Sequence, residues 1–534
     1  MHVLTSINKS RLRVFIDENP LRAILLAALA LRLLAAFFSK GFAFHDDHFC
    51  VIRVANSWAE GIPQWLQGEH PPKHSMVYAG ANAILMWIMG ALGVIDPEVK
   101  ATVLRLVHAL YSMLAVYFGY KITELISNKR NAILAGWILA LLWFMPYLSV
   151  KYLAELVCVP PVLAGFYVIL KAERSNERKW TAWILAGALF GLAFTIRLHI
   201  VLFAGGLGLV LLFRKQWLES ILFTLGFLLL TFVLIGIPDM LFFDYPYQYV
   251  VDYFIYNSEN AYNYITGSPF KFLITTFGFL VPPVSVFLMW GYIKTWKIEP
   301  KMFLAVLIFF LVHSFFPNKQ ERFLLPMYPL LIILGVIGWN NFKDRSRFWE
   351  GHQALYKGLW KFFWIINIIA ALALALTFTK KDRVAPLYYL SKQDDVKAVI
   401  IESERGKVKQ PPVYYLGNNC ADFDEIQNGE LGFDQFEAQK RYIDPEFIVT
   451  FNLGKDKTIE ELAEEIASTG KQPNYVIFKG DQDFETRMNR VKAFFPGQQL
   501  VLIKEIKPST FDLLLHILNP RVHRNMMARI YRVE

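Results

Sequence analysis

The stretch that decides the fold is LRAILLAALALRLLAAFFS, residues 21–39, followed at once by KGFAFHDDHF, residues 40–49. An apolar run of this length spans a bilayer core, which needs about 20 residues of helix. Three basic residues, Lys9, Arg11 and Arg13, precede it, and no small-residue cleavage signal follows it. Because basic flanks stay on the cytoplasmic side, we predict an uncleaved signal anchor whose far end opens on the opposite, outer face.

The motif segment, Phe44–Phe49, carries two adjacent carboxylates, Asp46 and Asp47, between His45 and His48. Ionisable side chains at the point where a helix leaves the bilayer are costly to keep for structure alone. They are the best candidates for the chemistry of this chain. The alternative, ordinary solvated residues at a helix end, stays open on this segment alone.

The composition indicates a polytopic membrane protein. Of the 534 residues, 55% are hydrophobic and 16% aromatic, more than a soluble core of that length can bury. The net charge of +10 comes from basic residues in short loops between apolar runs, a pattern of topology determinants that argues against nucleic-acid binding. The three scattered cysteines, Cys50, Cys158 and Cys420, do not fit a disulfide framework or a cysteine-based metal site.

The number of membrane crossings depends on residues 76–94, which either cross the membrane or lie in its interface. If they cross, the basic loops fall on the outer face; if they lie in the interface, almost all basic loops fall inside, as the positive-inside rule requires. We therefore predict about 11 spans, at residues 21–39, 101–120, 132–149, 156–170, 181–196, 199–213, 218–237, 270–293, 302–316, 323–339 and 360–379. One basic cluster, Lys380 to Arg383, falls outside and contradicts the rule.

Charged side chains from distant parts of the chain then share one outer face, as an active site at a membrane surface requires. Arg197 and the turn 317–322 lie between apolar runs with little loop to carry them into water. Each could instead be the solvated cap of its own helix, an alternative that is strongest for Lys151 and His199. The outer-face set comprises the motif segment, His70, Lys151, Glu155, Arg197, His199, the loop 238–269 and Pro317–Arg322.

The outer loop 238–269 is rich in tyrosine, phenylalanine and asparagine. Tyrosines at this depth commonly form an interfacial aromatic belt. Aromatic planes and amides also bind the faces and hydroxyls of sugar rings, and composition does not separate these two roles.

The composition changes near residue 384. We predict a membrane domain over 1–383, with a long first outer loop at 41–100, and an outer-face α/β domain over 384–534. Its expected strands are Pro412–Leu416, Phe447–Phe451, Tyr475–Phe478 and Leu500–Lys504, and its expected helices are Ile459–Ala467 and Phe484–Phe494. The domain has no glycine-rich phosphate loop and no cluster of metal ligands in its sequence, so a role as a lid or in acceptor recognition is only a hypothesis.

An acidic motif after the first helix, a long first outer loop and a helical bundle are together similar to the GT-C glycosyltransferases. The sequence HSFFPNKQERFLLP, residues 313–326, resembles the His-Lys-Glu-x-Arg-Phe signature of glycosyltransferase family 22. Those enzymes use dolichyl phosphate mannose in GPI-anchor and N-glycan assembly. Phe44–Asp47 resembles their His-Pro-Asp-Glu motif, and Asn257–Pro269 resembles their Asn-x-x-Asn to Tyr-Gly-x-x-Pro stretch.

The chain departs from that family pattern at several positions. His48 stands where the family has glutamate, Asp46 where it has proline, and Asn318 where it has histidine. The sequence His70-Pro71-Pro72 is closer to protein O-mannosyltransferase and aminoarabinose transferase relatives. These departures leave the identity of the sugar and of the acceptor open. They do not change the assignment to the glycosyltransferase class.

The resemblance implies direct, inverting displacement of a polyprenyl phosphate from the anomeric carbon of a sugar. In this family the sugar is mannose. Because phosphate leaves readily, the reaction needs a base for the acceptor hydroxyl and cations for the phosphate, and neither a metal nor a cofactor. By alignment the base is Asp47, with Asp46 second, and the phosphate ligands are Lys319 and Arg322, with Arg197 as a further candidate. Other substrate contacts are expected from His45, His48, His70, Glu155, Asn257, Asn260, Tyr264 and Glu321.

The predicted fold is therefore mainly α, a polytopic GT-C-like bundle with a C-terminal α/β domain. Its expected partners are a polyprenyl-phosphate-linked sugar, a glycan, glycolipid or protein acceptor, and the lipid bilayer. Few low-complexity loops and no disulfide set favour a bacterial inner membrane with a periplasmic active face over an endoplasmic reticulum membrane with a lumenal one.

Two other function classes stay open. A transporter or lipid flippase would use buried charges to bind a coupling ion, but we find neither an inverted repeat nor a helix pair broken by glycine or proline in the sequence. A lipid-linked polysaccharide ligase shares the outer-face chemistry and differs in taking its sugar from a diphosphate.

Overall fold

The computed structural model describes residues 13–66, 71–72, 74–175, 180–518 and 526–534. These residues are mainly helical, with one six-stranded sheet near the C-terminus. Six helices are long and apolar enough to cross a membrane: Pro20–Phe38, Pro97–Ile126, Ala154–Arg174, Trp217–Phe242, Glu321–Lys343 and Gln353–Ala375. The predicted class, a polytopic helical protein with a C-terminal α/β region, is confirmed.

Shorter helices account for the other predicted spans. Three of them are apolar: Trp180–Ile196, Leu198–Phe213 and Pro300–Phe315. Another short apolar helix, Met76–Ala91, covers the segment that we expect to lie in the interface. The predicted span 132–149 is covered by Lys129–Leu141 and Met145–Leu148. The remaining helical segments are His45–Asp47, His48–Ile52, Arg53–Ala59, Gln248–Glu259, Arg347–Gly351, Lys381–Leu390, Val413–Leu416, Phe423–Gln427, Gln435–Ile443, Ile459–Thr469, Phe484–Lys492 and Thr510–Leu518.

One predicted span, residues 270–293, is not a straight helix. Lys271–Phe279 and Val284–Lys294 meet at an angle of 116°. Pro282 and Pro283 lie in the break, and proline has no amide hydrogen to continue a helical ladder. The expectation that proline breaks no helix pair in this chain is therefore wrong.

The described contacts divide the chain into two compact units. The first comprises Met1–Ala36, His70–Tyr78 and Arg105–Leu376, and the second comprises Phe37–Glu69, Ala79–Leu104 and Thr377–Glu534. The second unit thus combines the C-terminal domain with most of the predicted first outer loop. This division differs from the predicted one at residues 383 and 384.

Helices of the first unit pack backbone to backbone at glycines. A Cβ atom on Gly187 would lie 1.9 Å from the carbonyl oxygen of Phe223. A Cβ atom on Gly338 would lie 1.9 Å from the carbonyl oxygen of Gly291, and one on Gly291 would lie 2.0 Å from that of Gly335. Since no real side chain fits at these distances, these contacts require glycine.

The second unit is built on a sheet with the strand order β2-β3-β1-β4-β6-β5. The strands are β1 Ala398–Ser403, β2 Cys420–Asp422, β3 Ile448–Leu453, β4 Tyr475–Lys479, β5 Leu500–Ile506 and β6 Ala528–Val533. The first four are parallel, and β6 runs antiparallel to β4 and β5. Every residue of β1 and β4 is buried, as expected of parallel strands covered on both faces.

Three of the four predicted strands are confirmed, and Pro412–Leu416 is wrong. That segment forms a 3₁₀ turn, Val413–Leu416, and the strand follows it at Cys420–Asp422. Pro411 and Pro412 lack the amide hydrogens that a sheet ladder needs, which explains why the apolar run does not pair.

A buried ion pair connects the helix after the motif segment to the sheet region of the second unit. Arg53 Nη2 lies 3.1 Å from Glu425 Oε2, and the two side chains are 2% and 1% exposed. Arg53 also donates to the carbonyl oxygen of Cys420, at 3.1 Å. The start of the helix Arg53–Ala59 is therefore tied to the first residue of strand β2 and to the short helix Phe423–Gln427 that follows the strand.

We expect Gly338→Ala to lower the melting temperature of the purified protein in detergent. The new methyl group would overlap the carbonyl oxygen of Gly291, and overpacking of this kind costs about 1–3 kcal/mol. Gly208→Ala is the matched control, because nothing lies within 4 Å of its added Cβ atom. That control should be neutral or more stable by about 0.5–1 kcal/mol. Equal melting temperatures for the two variants would contradict the glycine contact.

Candidate active site

Asp47 ends a short helix, His45–Asp47, and its side chain is only 2% exposed. Both carboxylate oxygens accept hydrogen bonds from the backbone that leads into the helix. The amide of Phe44 donates to Oδ1 at 2.8 Å and to Oδ2 at 3.1 Å, and the amide of Ala43 donates to Oδ2 at 3.2 Å. Amides at a helix N-terminus favour an ionised carboxylate and hold it in one orientation.

The two polar residues that precede Asp47 in the motif segment are more exposed than Asp47. Asp46 is half-buried and His45 is exposed. The His45 ring stacks on Phe49, with 4.4 Å between ring centroids. Of the two predicted carboxylates, Asp47 is therefore the one that the fold buries and orients.

His48 is buried among aromatic rings. It stacks on Phe42 at 4.7 Å and on Tyr415 at 5.3 Å between centroids. Neither ring nitrogen has a hydrogen-bond partner in the described part of the chain. Burial, together with the cations Arg383 and Lys380, holds the pKa of His48 well below its usual value, so the ring is neutral.

The basic cluster that contradicted the positive-inside rule begins beside the loop that holds Asp47. Lys380 Nζ donates to the carbonyl oxygen of Ala43 at 2.7 Å and lies 4.2 Å from the centre of the Phe42 ring. Burial lowers the pKa of Lys380 to about 8, while the charge of Asp47 acts in the opposite direction. A partly desolvated cation thus accompanies the predicted base.

Two arginines of the first unit share one carboxylate. Arg197 Nη2 lies 3.0 Å and Arg322 Nε 3.7 Å from the same oxygen, Oε1 of Glu155. These contacts are ionic and lack hydrogen-bond geometry at that oxygen, whereas Arg322 Nε donates to Gln320 Oε1 at 2.9 Å. Glu155 was expected to contact substrate, and in this arrangement it forms ion pairs with the two arginines. The two arginines and Glu155 together carry a formal charge of +1, which suits an anion.

A chain of hydrogen bonds runs through two histidines next to these arginines. The Tyr253 hydroxyl lies 2.7 Å from His199 Nε2, His199 Nδ1 lies 3.4 Å from His313 Nε2, and His313 Nδ1 lies 2.8 Å from the carbonyl oxygen of Phe309. Since a carbonyl only accepts, His313 must carry its proton on Nδ1. With both rings neutral, His199 then donates from Nδ1, and the Tyr253 hydroxyl donates to His199 Nε2.

Lys319 folds back onto the end of the helix Pro300–Phe315. Its side chain is 1% exposed, and Nζ donates to the carbonyl oxygens of Ser314 at 2.6 Å and His313 at 3.1 Å, and also to that of Phe316. An ammonium group has three donors, and these three carbonyls engage them. In this structure the predicted phosphate ligand therefore caps a helix C-terminus, and its contact with phosphate stays a prediction.

The turn that contains Lys319 is joined to the aromatic loop. The amide of Lys319 donates to the carbonyl oxygen of Ile265 at 2.7 Å, and Thr266 pairs with Asn318 in an antiparallel bridge. Lys271 adds a third link, since its Nζ donates to the carbonyl oxygen of Lys319 at 2.9 Å. The Lys271 ammonium also lies 2.8 Å from Glu321 Oε1. Glu321, a predicted substrate ligand, therefore has an ion-pair partner within the protein.

The predicted sugar-binding residues of the aromatic loop mainly contact that loop. Asn257 Nδ2 donates to the carbonyl oxygen of Tyr253 at 2.8 Å, and Asn260 Nδ2 donates to that of Tyr256 at 2.9 Å. The hydroxyls of Tyr256 and Tyr264 lie 2.8 Å apart. Their contact with substrate stays a prediction.

Several residues at these sites were not among the predicted ligands. His313 opens the stretch that resembled the family signature, which was the signal that could have identified it. Tyr253 and Lys271 lie in no motif, and only the fold shows their role. His70, a predicted ligand, lies outside the described residues.

A sequence model of the Alg9-like mannosyltransferase family matches residues 23–401. The match includes the motif segment and the turn with Arg322. The chain belongs to the Alg9-like mannosyltransferase family. It is accordingly an enzyme, a membrane glycosyltransferase that uses a sugar carried on a lipid phosphate, and the predicted family is confirmed. No curated protein matches the sequence.

Solved structures show that this family member has the GT-C fold. ArnT from Cupriavidus metallidurans bound to undecaprenyl phosphate is 12% identical, with a TM-score of 0.59 over 95% of this chain and 97% of that one. The Archaeoglobus fulgidus oligosaccharyltransferase complex with Zn and sulfate is 11% identical, with a TM-score of 0.53 over 86% and 67% of the two chains. AglB from the same organism, in complex with an inhibitory peptide and a dolichol-phosphate, is 10% identical with a TM-score of 0.51, over 87% and 70%.

Lys319→Met tests the capping role of this lysine. Loss of a charged donor to three terminal carbonyls should destabilise the substrate-free enzyme by about 1–3 kcal/mol, seen as a lower melting temperature in detergent. Lys297→Met, at an exposed lysine, is the control and should change stability by less than about 0.5 kcal/mol. A lysine that served only to bind phosphate would leave the substrate-free melting temperature unchanged, and that result would contradict the capping role.

Proposed function

We propose that this enzyme transfers mannose from a polyprenyl-phosphate donor to a hydroxyl group of a glycan, glycolipid or protein acceptor, with inversion at the anomeric carbon. Asp47 is the proposed base. The observation that carries this proposal is the Asp47 carboxylate itself, which lies in the family motif, is 2% exposed and is oriented by the amides of Ala43 and Phe44.

In the proposed reaction the acceptor oxygen attacks the anomeric carbon from the face opposite the phosphate. The bond between that carbon and the phosphate oxygen breaks as the new glycosidic bond forms, and Asp47 takes the hydroxyl proton. Hydrogen bonds from the amides of Ala43 and Phe44 hold the Asp47 carboxylate in one orientation. The phosphate leaves without needing a proton, so the reaction requires no general acid.

Departure of the phosphate requires positive charge, and Arg197 and Arg322 support that role best. They hold Glu155 between them and still carry a net positive charge as a group. A guanidinium can hold two phosphate oxygens at once, which an ammonium cannot. We propose Lys319 as a further phosphate ligand only if its cap contacts open on substrate binding.

The remaining predicted ligands are proposed as sugar and acceptor contacts. His45 and Asp46 are accessible beside the base, and Tyr264 is exposed on the aromatic loop. Asn257, Asn260 and Glu321 are proposed to bind hydroxyls when their present partners within the loop and turn are exchanged. His48 is proposed to support the motif by packing, since its neutral ring lies between Phe42 and Tyr415.

We further propose about 11 crossings, with the C-terminal α/β region and the motif segment on the outer face. Met76–Ala91 has 16 residues, or about 24 Å of helix, which is short for a hydrocarbon core of about 30 Å. We therefore place it in the interface, which leaves the basic loops inside. The proposed setting is a bacterial inner membrane with a periplasmic active face, and the alternative is a lumenal face in the endoplasmic reticulum.

Asp47→Asn should abolish transfer from radiolabelled polyprenyl-phosphate mannose by purified enzyme in EDTA, using a crude lipid and protein extract as acceptor. Loss of a general base costs about 10²- to 10⁴-fold in rate. Asp46→Asn should retain substantial activity, and Asp394→Asn, at an exposed aspartate of the second unit, is the control for the charge change.

The outcome of that assay separates the alternatives. Full activity of a folded Asp47→Asn variant would exclude Asp47 as the base, and loss in Asp46→Asn alone would transfer the role to its neighbour. Activity with a diphosphate-linked sugar but none with the monophosphate would identify the ligase reaction instead.

Arg322→Gln should lower kcat/KM for the donor by about 10²- to 10³-fold. The substitution removes a positive charge that would stabilise the negative charge that develops on the departing phosphate. The group formed with Arg197 and Glu155 would then be neutral. Arg322→Lys should recover part of the loss. Arg130→Gln, which breaks an exposed pair with Asp344, is the control and should leave kcat/KM unchanged. Equal kcat/KM for Arg322→Gln and the wild type would remove Arg322 from the proposed site.

A further inference from the structure

Five basic side chains of the second unit act on one another electrostatically, and two of them, Lys380 and Arg383, lie at the start of the helix Lys381–Leu390 and over the ring of Phe42. Arg383 is central, because its charge helps to lower the pKa of each of three lysines that burial already lowers, Lys380, Lys409 and Lys479. Arg405 in turn acts on Arg383 and Lys409. We call this group the cation cluster: Lys380, Arg383, Arg405, Lys409 and Lys479.

The cation cluster has no ion-pair partner among the residues that the structure describes. Lys479 is 5% exposed, and no described group accepts a hydrogen bond from its ammonium. Arg383 donates to the carbonyl oxygen of Gln410, and its buried Nε has no described partner. Lys380 contacts the carbonyl oxygen of Ala43 and the ring of Phe42, and no described carboxylate lies at ion-pair distance from it.

The carboxylates around the cluster do not balance it. Asp382 acts on several of the cations, and Asp47 acts on Lys380. Asp422 acts on Lys479, but burial raises the pKa of Asp422 well above its usual value, so that it is poorly placed to supply a negative charge. Lys479 is thus a cation removed from water without a matching anion, which is costly, and a ligand anion would remove that cost.

The place of Lys479 in the sheet points to a ligand as well. It is the last residue of β4 and pairs with Ser403, the last residue of β1. After these two adjacent parallel strands the chain moves to opposite sides of the sheet. After β1 it continues to β2 and β3 on one side, and after β4 it continues to β5 and β6 on the other. Open parallel sheets bind their ligands at the carboxyl ends of such strand pairs.

A purely local role for these cations does not explain the arrangement. Lys380 alone could serve to offset the charge of Asp47. That role would not explain why Lys479 is buried and Arg383 half-buried, since Asp47 is not among the groups that act on either of them. Arg383 also lies over the ring of Phe42, 5.1 Å from its centre, on the segment that leads into the motif.

We propose that Lys380, Arg383 and Lys479 form a phosphate-binding subsite next to the loop that holds Asp47, and that it binds a phosphate group of one of the two substrates. Its part in transfer rests on the proposed function. The phosphate has two sources, the carrier lipid of the donor or a phosphorylated acceptor, and the experiment below separates them.

The first measurement is the melting temperature of the full-length enzyme in detergent, with and without inorganic phosphate, against chloride at equal ionic strength. Lys479→Met removes a buried charge and keeps most of the volume, so it should raise the phosphate-free melting temperature and abolish the phosphate-dependent increase. Lys407→Met, at an exposed lysine of the same segment, should behave as wild type and reports any general salt effect. A lower phosphate-free melting temperature with an unchanged phosphate response would overturn the subsite.

The second measurement is the KM of each substrate in the transfer assay, with Lys479→Met and Arg383→Gln. A rise of about tenfold or more in the acceptor KM alone assigns the phosphate to the acceptor, and the same rise in the donor KM alone assigns it to the carrier lipid. Unchanged KM values for both substrates would overturn the substrate role. If wild-type enzyme transfers nothing but its phosphate response is lost in Lys479→Met, the subsite stands and the proposed function fails.

Discussion

The buried ion pair between Arg53 and Glu425 is the contact on which the arrangement of the second unit depends. Both side chains are almost completely withdrawn from solvent, so neither charge is tolerable without the other, and losing one partner of such a pair costs about 3–5 kcal/mol. Arg53 follows the motif segment by a single helical turn, and Glu425 belongs to the helix after β2. The predicted base is therefore positioned by a C-terminal region that lies more than 300 residues away in sequence.

The membrane part of this fold was predictable because hydropathy reports burial in lipid directly. Each predicted span coincides with helix, and strands such as Tyr475–Lys479 followed from short apolar runs. Two of the failures share one cause, the backbone chemistry of proline. Pro411 and Pro412 turned an expected strand into a 3₁₀ segment, and Pro282 and Pro283 lie in the break of an expected straight span. At the site, motif resemblance located Asp47 and Arg322, whereas the cap made by Lys319 could not be foreseen, since it depends on which carbonyls a long side chain reaches.

Two groups of cations in this enzyme differ in how their charge is balanced. Arg197 and Arg322 share Glu155, so the protein itself offsets one of their two charges. Arg383 and Lys479 have no described carboxylate at ion-pair distance, although Lys479 is nearly inaccessible. The exception to the positive-inside rule at Lys380 to Arg383 is then understandable, because topology constrains cations that stay in solvent near the membrane, while these are retained by a site.

Backbone contacts connect the aromatic loop to the turn that carries Arg322. Thr266 bridges Asn318, and the amide of Lys319 donates to the carbonyl oxygen of Ile265. Because these contacts join the loop to the turn, a shift of the loop would strain or break them. A molecule that binds the tyrosines of the loop would therefore act on the turn without touching it. One severed peptide bond between Tyr262 and Gly267, where the chain is exposed, would cut that mechanical link while leaving every charged side chain present.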